Sequence, residues 1–197
     1  ASDLIYCVDE LNAGFVAENA DARLRTTTGS SGNFAAQIRH GAPFDIFLSA
    51  DQHYPQALID SGDAVAGTLT PYAVGRLAIW TRRNDLDLSK GLLLLSSPQV
   101  RTYAIANPEH APYGRAARAA LEQANLWHAL AAKRVTSENI AQALQFVQTG
   151  NADVGIVALS LVVTPALAGQ GRYAILPSSS HPRLDQAAVL THRARNN

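Results

Sequence analysis

The chain has 197 residues, and its 16 basic and 16 acidic side chains cancel. This balance lacks the positive excess of a nucleic-acid-binding protein. The longest apolar run, residues 91–95, is far shorter than the roughly 18 residues that cross a bilayer. Hydrophobic residues make up 47% of the chain, which suits a globular core. We therefore expect a globular protein with neither a nucleic-acid partner nor direct membrane insertion.

Apolar spacing predicts the elements in chain order. Leu4, Val8, Leu11 and Phe15 recur at helical spacing and predict an amphipathic first helix. Residues 23–27 have strand character and run into a Gly- and Ser-rich segment. The remaining pattern predicts helices at 34–38, 53–59, 112–121 and 137–149, and strands at 45–49, 77–80, 102–106, 153–157 and 187–190. Short apolar strands alternating with helices predict an α/β fold with mostly parallel sheets and helices on both faces.

The segment 26–33, Thr-Thr-Thr-Gly-Ser-Ser-Gly-Asn, is rich in hydroxyls and carries no charge. Hydroxyls and free backbone N–H groups at a helix start can bind an anion without a cationic side chain. An ordinary capped turn has the same composition, so that interpretation stays open. The segment lacks the lysine of a nucleotide-binding loop. No Gly-x-Ser-x-Gly motif is present, so a nucleophilic Ser30 or Ser31 would lack a general base nearby in sequence.

Comparable helix starts occur at Ser2-Asp3, at 111–114 with Tyr113, and at 137–140. Each helix N-terminus contributes about half a positive charge and several unpaired N–H donors, so a few of them facing one cleft could neutralise a dianion. Every helix needs a start, however, so caps alone do not establish a site. The six histidines are not spaced as zinc ligands, and we expect no free metal cation.

Several blocks of the chain resemble the periplasmic molybdate-binding proteins of ABC transporters. They are Ala-Ser-Asp-Leu at 1–4, Thr-Gly-Ser-Ser-Gly-Asn-Phe-Ala-Ala-Gln-Ile at 28–38, Gly-Ala-Pro-Phe-Asp-Ile-Phe-Leu-Ser-Ala-Asp at 41–51, and the segments 106–114 and 153–158. The resemblance extends over essentially the whole chain. It implies a two-lobed type 2 periplasmic binding protein, without enzymatic activity or cofactor. Such a protein carries molybdate or tungstate in an interlobe cleft to the membrane permease of an ABC importer.

The resemblance also implies the site residues. Ser2 and Ser31 match hydroxyl ligands of the oxyanion, Asp3 and Ile140 match backbone amide donors, and Tyr113 matches a donor at a helix start. We expect the Asp3 carboxylate to point outward, because a carboxylate beside a bound anion would repel it. Two alternatives stay open. One is a different tetrahedral oxyanion such as sulfate, and the other is a serine-dependent hydrolase.

The expected lobes are 1–74 plus 183–197 (lobe I) and 75–182 (lobe II). The resemblance further implies that the chain lacks the family's first strand and its C-terminal helical segment. We therefore expect Ser2 to lie at a poorly ordered terminus, which would weaken oxyanion binding. We also expect exposed sheet edges that favour self-association.

Overall fold

Two β-sheets organise the chain in a computed structural model that describes residues 1–196. The strands are β1 (Ile46–Ser49), β2 (Thr70–Gly75), β3 (Leu77–Thr81), β4 (Tyr103–Ala106), β5 (Arg134–Ser137), β6 (Val154–Ala158), β7 (Arg172–Ile175) and β8 (Leu184–Leu190). The helices are α1 (Val8–Glu18), α2 (Ser31–Arg39), α3 (His53–Asp60), α4 (Pro112–Gln123), α5 (Ile140–Gln148) and α6 (Leu159–Val162). Short 3-10 helices add Ser2–Leu4, Leu88–Ser96, Ala131–Lys133, Pro165–Leu167, Ser178–Ser180 and His192–Asn196. Within residues 1–196, no helix combines the length and apolar character that a membrane crossing requires.

Neither sheet is mostly parallel, because one is antiparallel and the other is mixed. The three-stranded sheet has the order β1-β8-β2, and both of its pairings are antiparallel. The five-stranded sheet has the order β5-β4-β6-β3-β7. In it β4 pairs in parallel with β5 and β6, whereas β3 pairs antiparallel with β6 and β7. Strand β6 is buried along its whole length and has one neighbour of each kind. Continuous burial therefore does not reveal strand direction, which is why the sequence misled on this point.

Each sheet has its own apolar cluster. The larger cluster surrounds the five-stranded sheet and includes the fully buried Trp80 and Tyr103. Helices α4 and α5 pack against this sheet. The smaller cluster joins Phe47, Leu58 and Val189 beside the three-stranded sheet. Packing against these two clusters determines where α2, α4 and α5 begin and which way their N-termini point. The functional site described below depends on that arrangement.

Two predictions about the N-terminal region need correction. Residues 23–27 form no strand and are exposed, because no described segment pairs with them and β propensity alone does not hold a strand. Helix α1 forms at the predicted place, but Leu11 and Phe15 on its apolar face are 58% and 51% exposed. No residue of α1 is buried. Amphipathic spacing thus identified the helix correctly without identifying a partner for its apolar face.

The N-terminus itself is also better packed than expected. Ser2 and Asp3 are 4% and 3% exposed. The Ala1 amino group donates to the Leu48 carbonyl at 2.9 Å, and Ser160 Oγ donates to the Asp3 carbonyl at 2.9 Å. These contacts attach the Ser2–Leu4 turn to β1 of the three-stranded sheet and to α6, which packs on the five-stranded sheet. The prediction that Ser2 is poorly ordered is therefore wrong.

Candidate functional site

Three helices begin at one small cavity. They are α2, α4 and α5, whose first residues Ser31, Pro112 and Ile140 all line it. The cavity measures about 10 Å³ and is lined by Ala1, Ser2, Asp3, Gly29, Ser30, Ser31, Ala50, Ala111, Pro112, Tyr113, Asn139 and Ile140. The structure thus brings together all five residues that the sequence singled out. Within the described chain no Lys, Arg or His side chain lines the cavity.

Ser31 presents a hydroxyl at the start of α2. Its side chain is buried, and its Oγ accepts a hydrogen bond from the Ala50 backbone amide at 3.1 Å. Because this bond uses a lone pair, the hydroxyl proton stays available for an acceptor in the cavity. Helix α2 also leaves N–H groups of its first turn without intrahelical partners. This end of α2 is therefore a hydrogen-bond donor.

Ile140 presents a backbone amide at the start of α5. The preceding residue, Asn139, caps the helix, and its Oδ1 accepts from the Gln142 amide at 3.1 Å. The cap satisfies a later amide of the first turn, so the Ile140 N–H remains one of the donors that a helix start leaves open. A buried amide at a helix N-terminus favours an anionic ligand.

The Asp3 carboxylate contradicts the expected outward orientation, because it lies inside the protein. Asp3 Oδ2 accepts from Tyr113 Oη at 3.1 Å and from Gln186 Nε2 at 2.8 Å, and Gln186 Nε2 also lies 2.9 Å from Tyr113 Oη. These two neutral donors hold the carboxylate inward. Burial, and after it the charge of Asp3, raises the pKa of the Tyr113 hydroxyl well above its usual value. Tyr113 therefore keeps its proton and donates a hydrogen bond to Asp3 Oδ2.

Gly75 makes room for this buried cluster. A Cβ at position 75 would lie 2.6 Å from Tyr113 Oη and 2.9 Å from Gln186 Nε2. Any side chain there would displace one of these groups. Glycine is therefore required at the end of β2 by the close approach of the polar cluster and not by the backbone conformation of a turn.

The buried carboxylate opposes the other electrostatics of the cavity. Two unit charges about 4 Å apart interact by about 4 kcal/mol at an effective dielectric constant of about 20. An ionised Asp3 would offset much of the attraction that three helix N-termini offer an anion. The cavity therefore combines donors for an anion with one acceptor.

Ser30 has a histidine partner that the sequence neighbourhood did not reveal. Its Oγ lies 2.9 Å from His110 Nδ1 and donates to the His110 carbonyl at 2.6 Å, while His110 Nε2 lies 3.8 Å from Glu138 Oε2. When the Ser30 proton goes to the carbonyl, Nδ1 is the donor to Oγ, and a ring nitrogen that carries a proton does not deprotonate the serine. The tautomer of His110 therefore decides whether Ser30 can act as a nucleophile.

Around the cavity, a second polar cluster joins α4 to the region after β1. Arg115 donates to Asp51 Oδ2 at 2.5 Å and to Tyr54 Oη at 2.7 Å. Burial works to raise the pKa of the Asp51 carboxyl, but hydrogen bonds from the His53 amide and ring and from Arg115 outweigh it and lower the pKa. This pair is half-buried and lies outside the cavity lining.

Sequence reasoning missed Gln186, Gly75 and His110. Gln186 had a usable signal, since a polar residue just before an apolar strand run can mark a buried hydrogen-bond partner. Gly75 and His110 had no such signal, because the residues that they contact lie far away along the chain. Within residues 1–196, no group of three or more His, Cys, Asp or Glu is arranged to hold a metal ion.

Comparison with known families identifies the chain. A family model described as bacterial extracellular solute-binding protein matches residues 1–197. The chain belongs to this family. The described cavity thus lies in a protein class that binds solutes.

Two relatives of the chain and one solved structure are molybdate-binding proteins. Molybdate-binding protein ModA of Azotobacter vinelandii is 38% identical over 172 residues, which cover 87% of this chain and 68% of the relative. ModA of Rhodobacter capsulatus is 39% identical over 162 residues, covering 82% and 62%. The chain therefore spans about two thirds of the length of these relatives. The solved structure of the periplasmic molybdate-binding protein of A. vinelandii matches with a TM-score of 0.90 and 32% identity, over 97% of this chain and 83% of that one. This similarity confirms the predicted α/β periplasmic-binding-protein fold.

Proposed function

We propose that the chain binds a tetrahedral oxyanion, molybdate or tungstate, in the cavity where α2, α4 and α5 begin. The observation that carries the proposal is the convergence of these helix starts and the Ser31 hydroxyl on one cavity without a cationic side chain. Such a site suits a compact anion, which needs several donors at once. The similarity to the two molybdate-binding ModA relatives favours molybdate within this class.

In this function the protein carries its ligand without transforming it. The ligand is the oxyanion itself, with no cofactor and no free metal cation. We further propose that the protein works in the periplasm and delivers the anion to the membrane permease of an ABC importer. Membership of the extracellular solute-binding family and similarity to the periplasmic A. vinelandii protein support that setting.

We also propose the two lobes expected from the sequence, 1–74 plus 183–197 and 75–182. Sheet membership supports this division, since β1, β2 and β8 form one sheet and β3–β7 form the other. Ser31 and Asp3 would then bind the anion from one lobe, and Tyr113 and Ile140 would face it from the other. Self-association through the sheet edges remains a prediction, which light scattering at several concentrations would test.

Titration calorimetry with molybdate, tungstate, sulfate and phosphate tests the proposed ligand. We expect molybdate and tungstate to bind more tightly than sulfate. Tighter binding of sulfate would overturn the ranking. Turnover of acyl or phosphoryl esters by the same preparation would instead support the serine-dependent hydrolase.

Ser31→Ala tests the contribution of the cavity hydroxyl. The substitution removes a donor to a charged acceptor, a bond of about 1.5–3 kcal/mol, so we expect molybdate affinity to fall about 10- to 150-fold. Ser97→Ala is the matched control, because Ser97 Oγ also accepts a backbone amide, that of Gln99 at 3.2 Å, and lies outside the cavity. Equal affinities of the two variants would remove Ser31 from the site.

A further inference from the structure

The two oxygens of the Asp3 carboxylate have different surroundings. Oδ2 accepts hydrogen bonds from Tyr113 and Gln186. Oδ1 is buried and has no hydrogen-bond partner within residues 1–196. Asp3 is only 3% exposed and lines the cavity. A buried carboxylate oxygen without a donor is costly, so its position requires an explanation.

The chemistry of a tetrahedral dianion sharpens this problem. A fully ionised oxyanion offers only acceptors, and so does an ionised carboxylate. The Ser31 hydroxyl and the Ile140 amide can face the anion directly because they are donors. Asp3 Oδ1 and an anion oxygen can be neighbours only if one proton lies between them, which would then form a strong, charge-assisted hydrogen bond.

We propose that the cavity takes up one proton together with its oxyanion and holds that proton between Asp3 Oδ1 and an anion oxygen. This inference rests on the proposed oxyanion function and specifies its ligand further. The proton comes from a solvent hydronium ion, which loses one O–H bond and becomes water as the new O–H bond forms between Asp3 Oδ1 and the anion, and no other covalent bond changes. The bound pair then carries one negative charge fewer than a free dianion plus an ionised carboxylate.

Proton sharing also distinguishes between oxyanions of similar shape. Sulfate is a weaker base than molybdate or tungstate, so it holds a shared proton less well. Asp3 would therefore disfavour sulfate by chemistry, in addition to any effect of cavity size. Phosphate keeps a proton of its own at neutral pH and can donate it to Asp3 Oδ1 without net uptake from solvent.

Other titratable groups near Asp3 must be separated from this effect. Within residues 1–196, those coupled to its charge are the amino group of Ala1, Cys7, Tyr72 and Tyr113. Burial raises the pKa of Cys7 and of both tyrosines, so they stay neutral near pH 7. Burial lowers the pKa of the Ala1 amino group, which can therefore titrate in the same range. A variant at Asp3 keeps that amino group and separates the two sources.

The decisive measurement is molybdate and tungstate affinity between about pH 6 and about pH 8.5, with the proton count taken from calorimetry in two buffers of different ionisation enthalpy. For the unsubstituted chain we expect uptake of about one proton per anion and about tenfold tighter binding for each pH unit of decrease. The proton count sums uptake at Asp3 and at the Ala1 amino group, so a count near zero overturns the proposal without any variant, and the Asp3 variant assigns a count near one.

Asp3→Asn is the matching variant, because its side-chain oxygen can keep the bonds from Tyr113 and Gln186 while its amide donates into the cavity. We expect its affinity to keep at most the weak pH dependence that the Ala1 amino group contributes, to be at least tenfold tighter than that of the unsubstituted chain at about pH 8, and to be less selective against sulfate. Asp9→Asn, on the exposed start of α1, should keep the original pH dependence.

Contrary outcomes separate this inference from the proposed function. Tight binding without proton uptake, or an unchanged pH dependence in Asp3→Asn, would overturn proton sharing and leave oxyanion binding intact. If neither protein bound any of the four oxyanions at any pH, the proposed function and this inference would both be wrong.

Discussion

Helix α4 makes two polar connections of opposite kinds within three residues. Tyr113 is 2% exposed and belongs to an inner network with Asp3 and Gln186. Arg115, whose side chain is 40% exposed, belongs to a rim network with Asp51 and Tyr54. Both networks tie α4 to the side of the molecule that carries the three-stranded sheet. One uses neutral donors around a buried carboxylate, and the other uses a half-buried ion pair that water still reaches through Arg115.

This difference in burial indicates which of the two networks contributes more to the free energy of unfolding. A surface ion pair is screened by water and salt and contributes about 0–1 kcal/mol. Removing one donor from a buried carboxylate is far more costly, because water cannot replace it. We therefore expect stability and anion binding to depend on the inner network and only weakly on the rim network.

Tyr113→Phe should give the largest effect. The substitution leaves Asp3 Oδ2 with Gln186 as its remaining partner, and a hydrogen bond to a charged group contributes about 1.5–3 kcal/mol. We expect the free energy of unfolding to fall by about 2 kcal/mol or more in urea titrations at neutral pH. The double variant with Asp3→Asn should lose less than the sum of the two single variants, since Asp3→Asn already removes the charge that the Tyr113 hydroxyl stabilises.

Tyr72→Phe is the control for this prediction. The Tyr72 hydroxyl donates to the neutral Ser49 carbonyl at 3.0 Å, and such a bond contributes about 1 kcal/mol. If the two variants lost the same free energy of unfolding, the Asp3 charge would not determine the effect of Tyr113→Phe. The inner network would then be no more stabilising than an ordinary neutral hydrogen bond.

Gly75→Ala should give the next largest effect. The added Cβ would lie 2.6 Å from Tyr113 Oη, closer than real Cβ contacts, so the inner network must shift. Overpacking of this kind costs about 1–3 kcal/mol, and thermal or urea unfolding would measure it. Gly14→Ala is the control, because a Cβ there meets nothing within 4 Å. In α1 this change should stabilise by up to about 1 kcal/mol. A neutral result at Gly75 would show that Tyr113 and Gln186 repack freely.

The sequence predicted those parts of the fold and site that local signals encode. The starts of α2, α4 and α5 carry Ser30-Ser31, Pro112 and an Asn139 cap, and these signals depend on neighbouring residues only. Helix α4 begins at the predicted Pro112, whereas α2 begins three residues before the predicted 34–38 and α5 begins three residues after the predicted start at 137. The predicted site residues line one cavity because each of them is the first or second residue of its helical segment.

What the sequence could not provide is pairing between distant segments. Residues 23–27 have a strand-like composition but no described partner. The outward orientation expected for the Asp3 carboxylate rests on its repulsion of an anion and on its position at a helix start. Its actual donors, Tyr113 and Gln186, lie 110 and 183 residues away along the chain. Contacts over such separations leave no signal in the residues next to Asp3.

Arg115→Gln should give the smallest effect, a loss of at most about 1 kcal/mol that shrinks further in high salt. Its pH dependence follows from Asp51, whose folded-state pKa lies below its usual value. The contribution of such a carboxylate is fully present above the unfolded pKa of about 3.9 and is lost as the pH falls through the lower folded value. The difference between variant and parent should therefore be constant from about pH 5 to about pH 8 and vanish in stronger acid.

Urea unfolding across this range measures the rim contribution. Arg118→Gln is the control on the same helix, since Arg118 is similarly exposed and pairs with Glu122 one turn along α4. We expect the two arginine variants to lose similar amounts at neutral pH, because exposure limits both ion pairs. A loss at Arg115 as large as that of Tyr113→Phe would mean that solvent does not screen the rim network. In that case burial would not explain how much each network stabilises the protein. The identity of the residues that pair with Tyr113 and with Arg115 would explain it instead.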